Sequence, residues 1–132
     1  MKTEFIARSD DGRALHAIRT ALSALLREIG TPDSEVFAAE LVIGELLTNA
    51  YRYAPGDVFV SLDCDMANAS LTVRDRGVGL RLPASLPDMQ SERGRGLFIV
   101  QSLVEALESR QHEGWSEVRA DLRIRRRALS CA

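Results

Sequence analysis

Residues 44–55, GELLTNAYRYAP, govern how the rest of this sequence is interpreted. They have the apolar spacing of an amphipathic helix, yet Glu45 and Asn49 lie one turn apart at the edge of the apolar face. Asparagine is a poor helix former because its side chain competes for backbone hydrogen bonds. Positions i and i+4 project within about 40° of each other. The pattern therefore predicts a carboxylate and a carboxamide that point together, either as a functional pair or as a solvated helix face.

Composition indicates a globular chain without an obvious nucleic-acid or membrane partner. The 132 residues are 45% hydrophobic and carry a net charge of −2, so we expect one domain over residues 1–132, with its core at 4–125 and a tail at 126–132. Lys2 is the single lysine among 17 basic residues. A Walker-type phosphate loop is thereby excluded, and phosphate chemistry would have to use arginines, backbone amides or a metal ion.

Cysteine usage and the lack of long apolar runs predict a cytoplasmic protein. Cys64 and Cys131 are far apart and form neither a metal motif nor a disulfide framework. The N-terminal residues lack a signal-peptide pattern, and no run approaches the length of a transmembrane helix.

Hydrophobic periodicity predicts the element order β-α-α-β-β-α-β-β. Ser9 or Asp10 is expected to cap the first helix and Gly30 to end it, while Thr31 caps the second helix and Pro32 takes its first position. The other expectations are strands at 3–9, 57–65 and 69–75, a turn at 66–68, a loop at 80–93, a third helix at 94–110, strands near 108–113 and 116–125, and Gly114 in the last turn. This order predicts an α+β two-layer sandwich, in which helices cover one face of a mixed, mainly antiparallel sheet.

The segment DRGVG, residues 75–79, follows an alternating strand. An Asx turn with glycines is one interpretation of Asp75. The other is a carboxylate delivered into a pocket, where it accepts a hydrogen bond from an amino group such as that of adenine. Gly77 and Gly79 would then let a flat ring approach the backbone.

The segment GRGL, residues 94–97, opens the third predicted helix. Gly94 and Gly96 allow amides to turn toward one point, and the helix N-terminus adds partial positive charge. The pattern is typical of a phosphate site, with Arg93 and Arg95 within reach. A glycine-rich helix start without a ligand is the alternative. A Rossmann fingerprint is excluded because the G-x-G-x-x-G spacing is missing.

Together these segments resemble the GHKL superfamily of ATPases and kinases, shared by DNA gyrase, heat-shock chaperones, sensor histidine kinases and mismatch-repair proteins. ELLTNA is similar to its asparagine box, DRGVG to its first glycine box and GRGLFIV to its second. Within the superfamily the chain is most similar to bacterial anti-sigma-factor serine/threonine kinases, over residues 4–125. The resemblance implies a Bergerat-type ATP-binding fold.

The same resemblance implies roles for individual residues. Glu45 would be the general base, Asn49 the Mg²⁺ ligand and Asp75 the adenine-binding carboxylate. The remaining nucleotide-binding positions would be Gly77, Gly79, Arg93, Gly94, Arg95, Gly96, Leu97 and Ser116, with a lid at 80–93. Two positions depart from the family: Tyr53 stands where many relatives have His, and Ser116 where a Thr is usual.

The resemblance further implies a homodimer that binds ATP and Mg²⁺, phosphorylates an anti-anti-sigma protein of the STAS type, and also binds a sigma factor. Two alternatives stay open. One is a nucleotide-dependent binding module without phosphotransfer. The other is a histidine-kinase catalytic domain, which is disfavoured because Ala17 and Ala21 replace the acidic residue and the proline expected after a phosphoacceptor at His16.

Overall fold

Five strands and three helices follow one another in the predicted order in the computed structural model, which describes residues 1–65, 68–77 and 92–124. The elements are β1 (Lys2–Ala7), α1 (Ala14–Glu28), α2 (Asp33–Tyr53), β2 (Val58–Cys64), β3 (Ala69–Asp75), α3 (Glu92–Leu103), β4 (Val104–His112) and β5 (Trp115–Leu122).

The strands form one sheet in the order β1-β2-β3-β5-β4. Each pairing among the described strands is antiparallel, so no parallel pair of the kind expected in a mixed sheet is present there. The two-layer α+β architecture predicted from the sequence is confirmed. In register, Asp75 at the end of β3 lies opposite Ser116 near the start of β5.

Alternation along the strands explains why one face of the sheet is covered. Successive side chains of a strand point to opposite faces, and the buried residues of β2, β3 and β5 occupy every second position. The core joins strand residues to apolar residues of the helices. Its strand members include Val60, Leu71, Val73 and Val118, and its helix members include Ile18, Leu22, Leu26, Val36, Ile43 and Leu47. Helix α2 packs against α1, α3, β2 and β3, which makes it the central helix of the covering layer.

The start of α1 differs from the prediction. The helix begins at Ala14 and has no side-chain cap. The backbone N–H of Ser9 instead donates to the carboxylate of Asp57 at 2.9 Å, and the carboxylate of Asp11 accepts from the N–H of Arg13. Capping by Ser9 or Asp10 is therefore wrong, because these residues serve the loop that precedes the helix.

The connection between α1 and α2 confirms one prediction and overturns another. Gly30 has φ +89° and ends α1 as expected, and its N–H donates a hydrogen bond to the carbonyl of Arg27. The hydroxyl of Thr31 is buried and has no hydrogen-bond partner in the described part of the chain, so Thr31 does not cap α2. The carbonyl of Pro32 accepts the first helical bonds, and the helix begins one residue later than predicted.

The third helix is shorter than predicted. It ends at Leu103, and Val104 begins β4, which pairs with β5 through a register shift between Val104 and Ala106. The strand pairing therefore overrides the helical spacing of the apolar residues in this segment. The turn prediction at Gly114 is confirmed by its φ of +75°. Residues 66–67 of the other predicted turn lie outside the described residues.

Candidate nucleotide site

Glu45 is a half-buried residue of α2 whose carboxyl group lies directly over Gly96 of α3. A Cβ atom added to Gly96 would overlap the Glu45 carboxyl group, which is the far end of that side chain. The asparagine-box helix and the second glycine segment therefore meet at this contact. Gly96 has no positive φ, so it is needed here for space and not for backbone conformation.

Asn49 lies one helical turn beyond Glu45 and is only 6% exposed. Its Nδ2 is buried and has no hydrogen-bond partner within residues 1–65, 68–77 and 92–124. Buried polar groups are nearly always hydrogen-bonded in folded proteins, so the unpaired amide nitrogen of Asn49 favours a ligand at this position. Rotation of the amide by 180° would present Oδ1 instead, the atom suited to a hard cation.

The first glycine turn is held by two hydrogen bonds on the covered face of the sheet. The N–H of Gly77 donates to Oδ1 of Asp75 at 2.7 Å, and the hydroxyl of Ser116 donates to the carbonyl of Gly77 at 2.5 Å. The Asx-turn geometry is thus present at Asp75, and it fixes the carboxylate at the end of β3. Ser116 is 1% exposed, so its hydroxyl acts as a buried support for the turn.

Both glycine segments lie against α2. A Cβ atom on Gly77 would come 3.0 Å from Cβ of Ala54, at the C-terminal end of α2, whereas Gly96 lies against Glu45. These two contacts are about 13 Å apart along the helix axis at 1.5 Å per residue. Asn49 lies between them in the sequence, so the asparagine-box helix contacts both glycine segments.

The N-terminus of α3 differs in detail from the prediction. The helix begins at Glu92, so its first three helical amides, those of residues 92–94, have no intrahelical acceptor. Gly94 is among them and Gly96 is not. Leu97 is 7% exposed and belongs to the hydrophobic core, where it anchors the first turns of α3.

Several of the predicted site residues lie outside the described part of the chain. Gly79 and most of the predicted lid lie outside the described residues, as do the side chains of Arg93 and Arg95. The side chain of Tyr53 is likewise outside them, although its backbone ends α2.

One cluster near the site has no counterpart in the sequence analysis. The guanidinium of Arg76 lies 4.8 Å from the ring centroid of Trp115, and that ring packs on Phe59 with centroids 5.4 Å apart. The signals available in the sequence were the single tryptophan and its position next to Ser116. Neither could show that Arg76 reaches it.

Metal binding by protein side chains alone is not supported in the described residues. Across 1–65, 68–77 and 92–124, no three His, Cys, Asp or Glu side chains are grouped to hold an ion. Magnesium ions often take only one or two protein ligands, together with phosphate oxygens and water. Asn49 fits that donor set through its carbonyl oxygen Oδ1, which a rotation of the amide would exchange with the unpaired Nδ2.

The fold and the site define a two-layer α+β domain with a candidate nucleotide site along its central helix. The chain belongs to the histidine kinase-like ATPase family, because the sequence model described as "Histidine kinase-like ATPase domain" matches residues 9–122. Membership of an ATPase family implies ATP binding. None of the curated proteins compared with the chain matches it.

Solved structures show the same fold at low sequence identity. The chain is similar to the crystal structure of the RsbU and RsbW domains of Rv1364c from Mycobacterium tuberculosis, with a TM-score of 0.71 and 20% identity over 96% of this chain and 32% of that one. It is also similar to the histidine kinase domain of the Erythrobacter litoralis EL346 blue-light activated histidine kinase, with a TM-score of 0.51 and 18% identity over 82% of this chain and 64% of that one. The chain thus spans about a third of the first of these proteins. None of the helices in its described part is long and apolar enough to cross a membrane.

Proposed function

We propose that this chain is an ATP- and Mg²⁺-dependent serine/threonine protein kinase that also acts as an anti-sigma factor in a bacterial partner-switching circuit. The observation that carries the proposal is the contact between Glu45 and Gly96. It places a carboxylate beside the start of α3, one helical turn from the buried carboxamide of Asn49.

The nucleotide would lie along α2. Its adenine would be recognised at the first glycine turn, where Asp75 accepts a hydrogen bond from the amino group. Its phosphates would lie near the N-terminus of α3, where free amides and the helix dipole favour anions. Asn49 would hold Mg²⁺, which when bound neutralises charge on the phosphates.

In the proposed transfer, Glu45 accepts the proton of a serine or threonine hydroxyl on the partner. That oxygen forms a bond to the γ-phosphorus as the bond to the bridging oxygen of ADP breaks. Most of the rate enhancement in such transfers comes from positioning and charge stabilisation. The contact with Gly96 supports this role because it restricts where the carboxylate of Glu45 can lie.

The proposed partners are an anti-anti-sigma protein of the STAS type and a sigma factor, with a homodimer as the working form in the cytoplasm and residues 1–132 as one domain. Similarity of fold to a structure containing an RsbW domain supports this class of partner. Exposed apolar side chains on α2, Phe37 at 65% and Leu41 at 48%, favour a protein-binding surface on this helix.

A nucleotide-dependent binding module without phosphotransfer is the second candidate. It would use the same adenine and Mg²⁺ positions and would have no use for Glu45 as a base. The histidine-kinase alternative would take His16, an exposed residue of α1, as its phosphoacceptor, and Ala17 and Ala21 at the neighbouring positions disfavour it.

The test combines nucleotide binding with transfer. ATP is titrated calorimetrically with and without MgCl₂, and the protein is then incubated with Mg²⁺ and ATP and with purified STAS-domain proteins of its source organism. We expect phosphorylation of a serine or threonine by mass spectrometry. Glu45→Gln should bind ATP normally but transfer at least about 100-fold more slowly.

The control is Glu40→Gln, which alters a carboxylate on the same helix that pairs with Arg27 at 3.2 Å. This variant should transfer at the normal rate. A wild-type rate of phosphoryl transfer in Glu45→Gln would show that Glu45 is not the general base. If the wild type binds ATP but transfers phosphate to none of the STAS-domain proteins, the kinase proposal is wrong and the binding module is the better interpretation.

A further inference from the structure

The first glycine turn is held from both faces of the sheet. On the covered face, Gly77 is bonded to Asp75 and Ser116. On the open face, the guanidinium of Arg76 lies over the ring of Trp115. Arg76 lies between Asp75 and Gly77 in the sequence, so a contact that restrains its side chain acts next to both residues of the turn.

Two adjacent residues of β5 supply these supports. Ser116 points toward the helices and is buried, whereas Trp115 points to the open face and is half-buried, as the alternation of a strand requires. The Trp115 ring is itself fixed by Phe59 of β2, with centroids 5.4 Å apart and planes inclined by 60°. The Phe59–Trp115–Arg76 stack therefore connects β2, β5 and the glycine turn across the open face.

Several arginines lie on the open face, and Arg76 differs from the others in its contact with an aromatic ring. Arg74 lies two residues before Arg76 and pairs with Glu117 at 2.9 Å, and Arg119 pairs with Asp121 at 3.2 Å. In the described part of the chain, only Arg76 lies over an aromatic ring. A cation above a tryptophan face is attracted by the ring quadrupole.

We infer that Trp115 is a positioning residue for adenine recognition, acting through Arg76 from the face of the sheet opposite to the nucleotide. The inference rests on the proposed function, because it takes Asp75 as the group that accepts from the adenine amino group. By fixing Arg76, Trp115 limits the motion of the Asp75–Gly77 turn, so that the Asp75 carboxylate is held ready for that hydrogen bond. Trp115 itself does not contact the nucleotide.

The inference predicts a loss that depends on the base. Inosine triphosphate carries the same phosphates as ATP but has no amino group for Asp75 to bind. Weakening the stack should therefore reduce affinity for ATP and leave affinity for inosine triphosphate unchanged. A general loss of structure would instead weaken the binding of both nucleotides to the same extent.

The experiment measures calorimetric dissociation constants for both nucleotides with MgCl₂, using the full chain. Arg76→Met should weaken ATP binding by about 2- to 5-fold, which corresponds to the cation–π attraction at an exposed site. Trp115→Ala should weaken it further, and Arg76→Lys should restore part of the loss because a cation is retained. Arg74→Met is the matched control and should leave both constants unchanged.

Trp115 also provides a direct optical reading, since it is the only tryptophan of the chain. Its emission should change when ATP is added to the wild type. Equal loss for ATP and inosine triphosphate, or no loss in Arg76→Met and Trp115→Ala, would overturn the inference while leaving the proposed function intact. Absence of ATP binding by the wild type would instead overturn both.

Discussion

The carboxyl group of Glu45 occupies the space that a side chain at position 96 would need. This relationship joins two segments that are 51 positions apart in the sequence and lie on different helices. It gives Gly96 a steric role in the site, and it gives Glu45 a restricted position beside the start of α3.

Substitution of Gly96 by alanine should therefore displace the carboxyl group of Glu45. Because the side chain can move away, we expect a moderate loss of stability, about 1–3 kcal/mol. Transfer should fall by at least about 10-fold if Glu45 is the base, since general bases contribute about 10²- to 10⁴-fold. The measurements are thermal unfolding and the rate of partner phosphorylation.

Gly12→Ala is the control for that substitution. A Cβ at Gly12 would meet no atom within 4 Å, and its φ is not positive. It should leave stability and transfer unchanged. A Gly96→Ala protein with the wild-type transfer rate would show that the position of the Glu45 carboxylate does not matter for the reaction.

Asn49 and Thr31 form a matched pair, because each is 6% exposed and has a buried polar atom with no hydrogen-bond partner among the described residues. Replacing either by an apolar residue of similar size removes an unsatisfied group. Asn49→Leu and Thr31→Val should both raise the free energy of unfolding by about 1 kcal/mol. Chemical denaturation measures this change.

Of the two variants, only Asn49→Leu should no longer be stabilised against unfolding by the nucleotide. A ligand that binds the folded state stabilises it by about 2.7 kcal/mol at 100 times its dissociation constant. We expect ATP with MgCl₂ to raise the melting temperature of wild type and Thr31→Val, but not of Asn49→Leu. A normal thermal shift in Asn49→Leu would mean that the orphaned amide is unrelated to ligand binding.

Ser116→Ala tests the support of the first glycine turn from the covered face. It leaves the buried carbonyl of Gly77 without its donor, which should cost about 1–3 kcal/mol of stability and weaken ATP binding. Ser102→Ala removes a hydroxyl that donates to the carbonyl of Ile99 at an exposed site, and it should do neither. Equal ATP affinities in Ser116→Ala and Ser102→Ala would show that the hydrogen bond from Ser116 does not contribute to nucleotide binding.

Gly30→Ala tests the end of α1. Gly30 has φ +89°, a conformation that costs an L-residue about 1–2 kcal/mol. We expect a loss of about 1 kcal/mol in denaturant unfolding and no change in nucleotide affinity, because the residue lies in the connection between α1 and α2. A variant as stable as wild type would show that this connection relaxes at no cost.

The order of elements and the covered face of the sheet could be predicted from the sequence because apolar periodicity is a local signal. The boundary between α3 and β4 could not. Val104 and Leu107 continue a helical spacing, and only their pairing with β5, at Leu122 and Ala120, places them in a strand. The hydroxyl of Thr31 likewise has the chemistry of a cap, but α2 begins one residue later than predicted and Pro32 takes the N-cap position.

The site was predictable as a set of residues and not as an arrangement. Glu45, Asn49 and Asp75 follow from motif chemistry and family resemblance. The contact between Glu45 and Gly96, the bond from Ser116 to Gly77, and the stacking of Arg76 on Trp115 are tertiary contacts. No spacing within a single element predicts them.

The most direct test of the account is a calorimetric titration of ATP, with and without MgCl₂, into wild type and Asn49→Ala. We predict that Mg²⁺ strengthens ATP binding to the wild type and that this gain disappears in Asn49→Ala. Equal strengthening by Mg²⁺ in both proteins, or no ATP binding by the wild type, would contradict the assignment of Asn49 and the nucleotide site along α2.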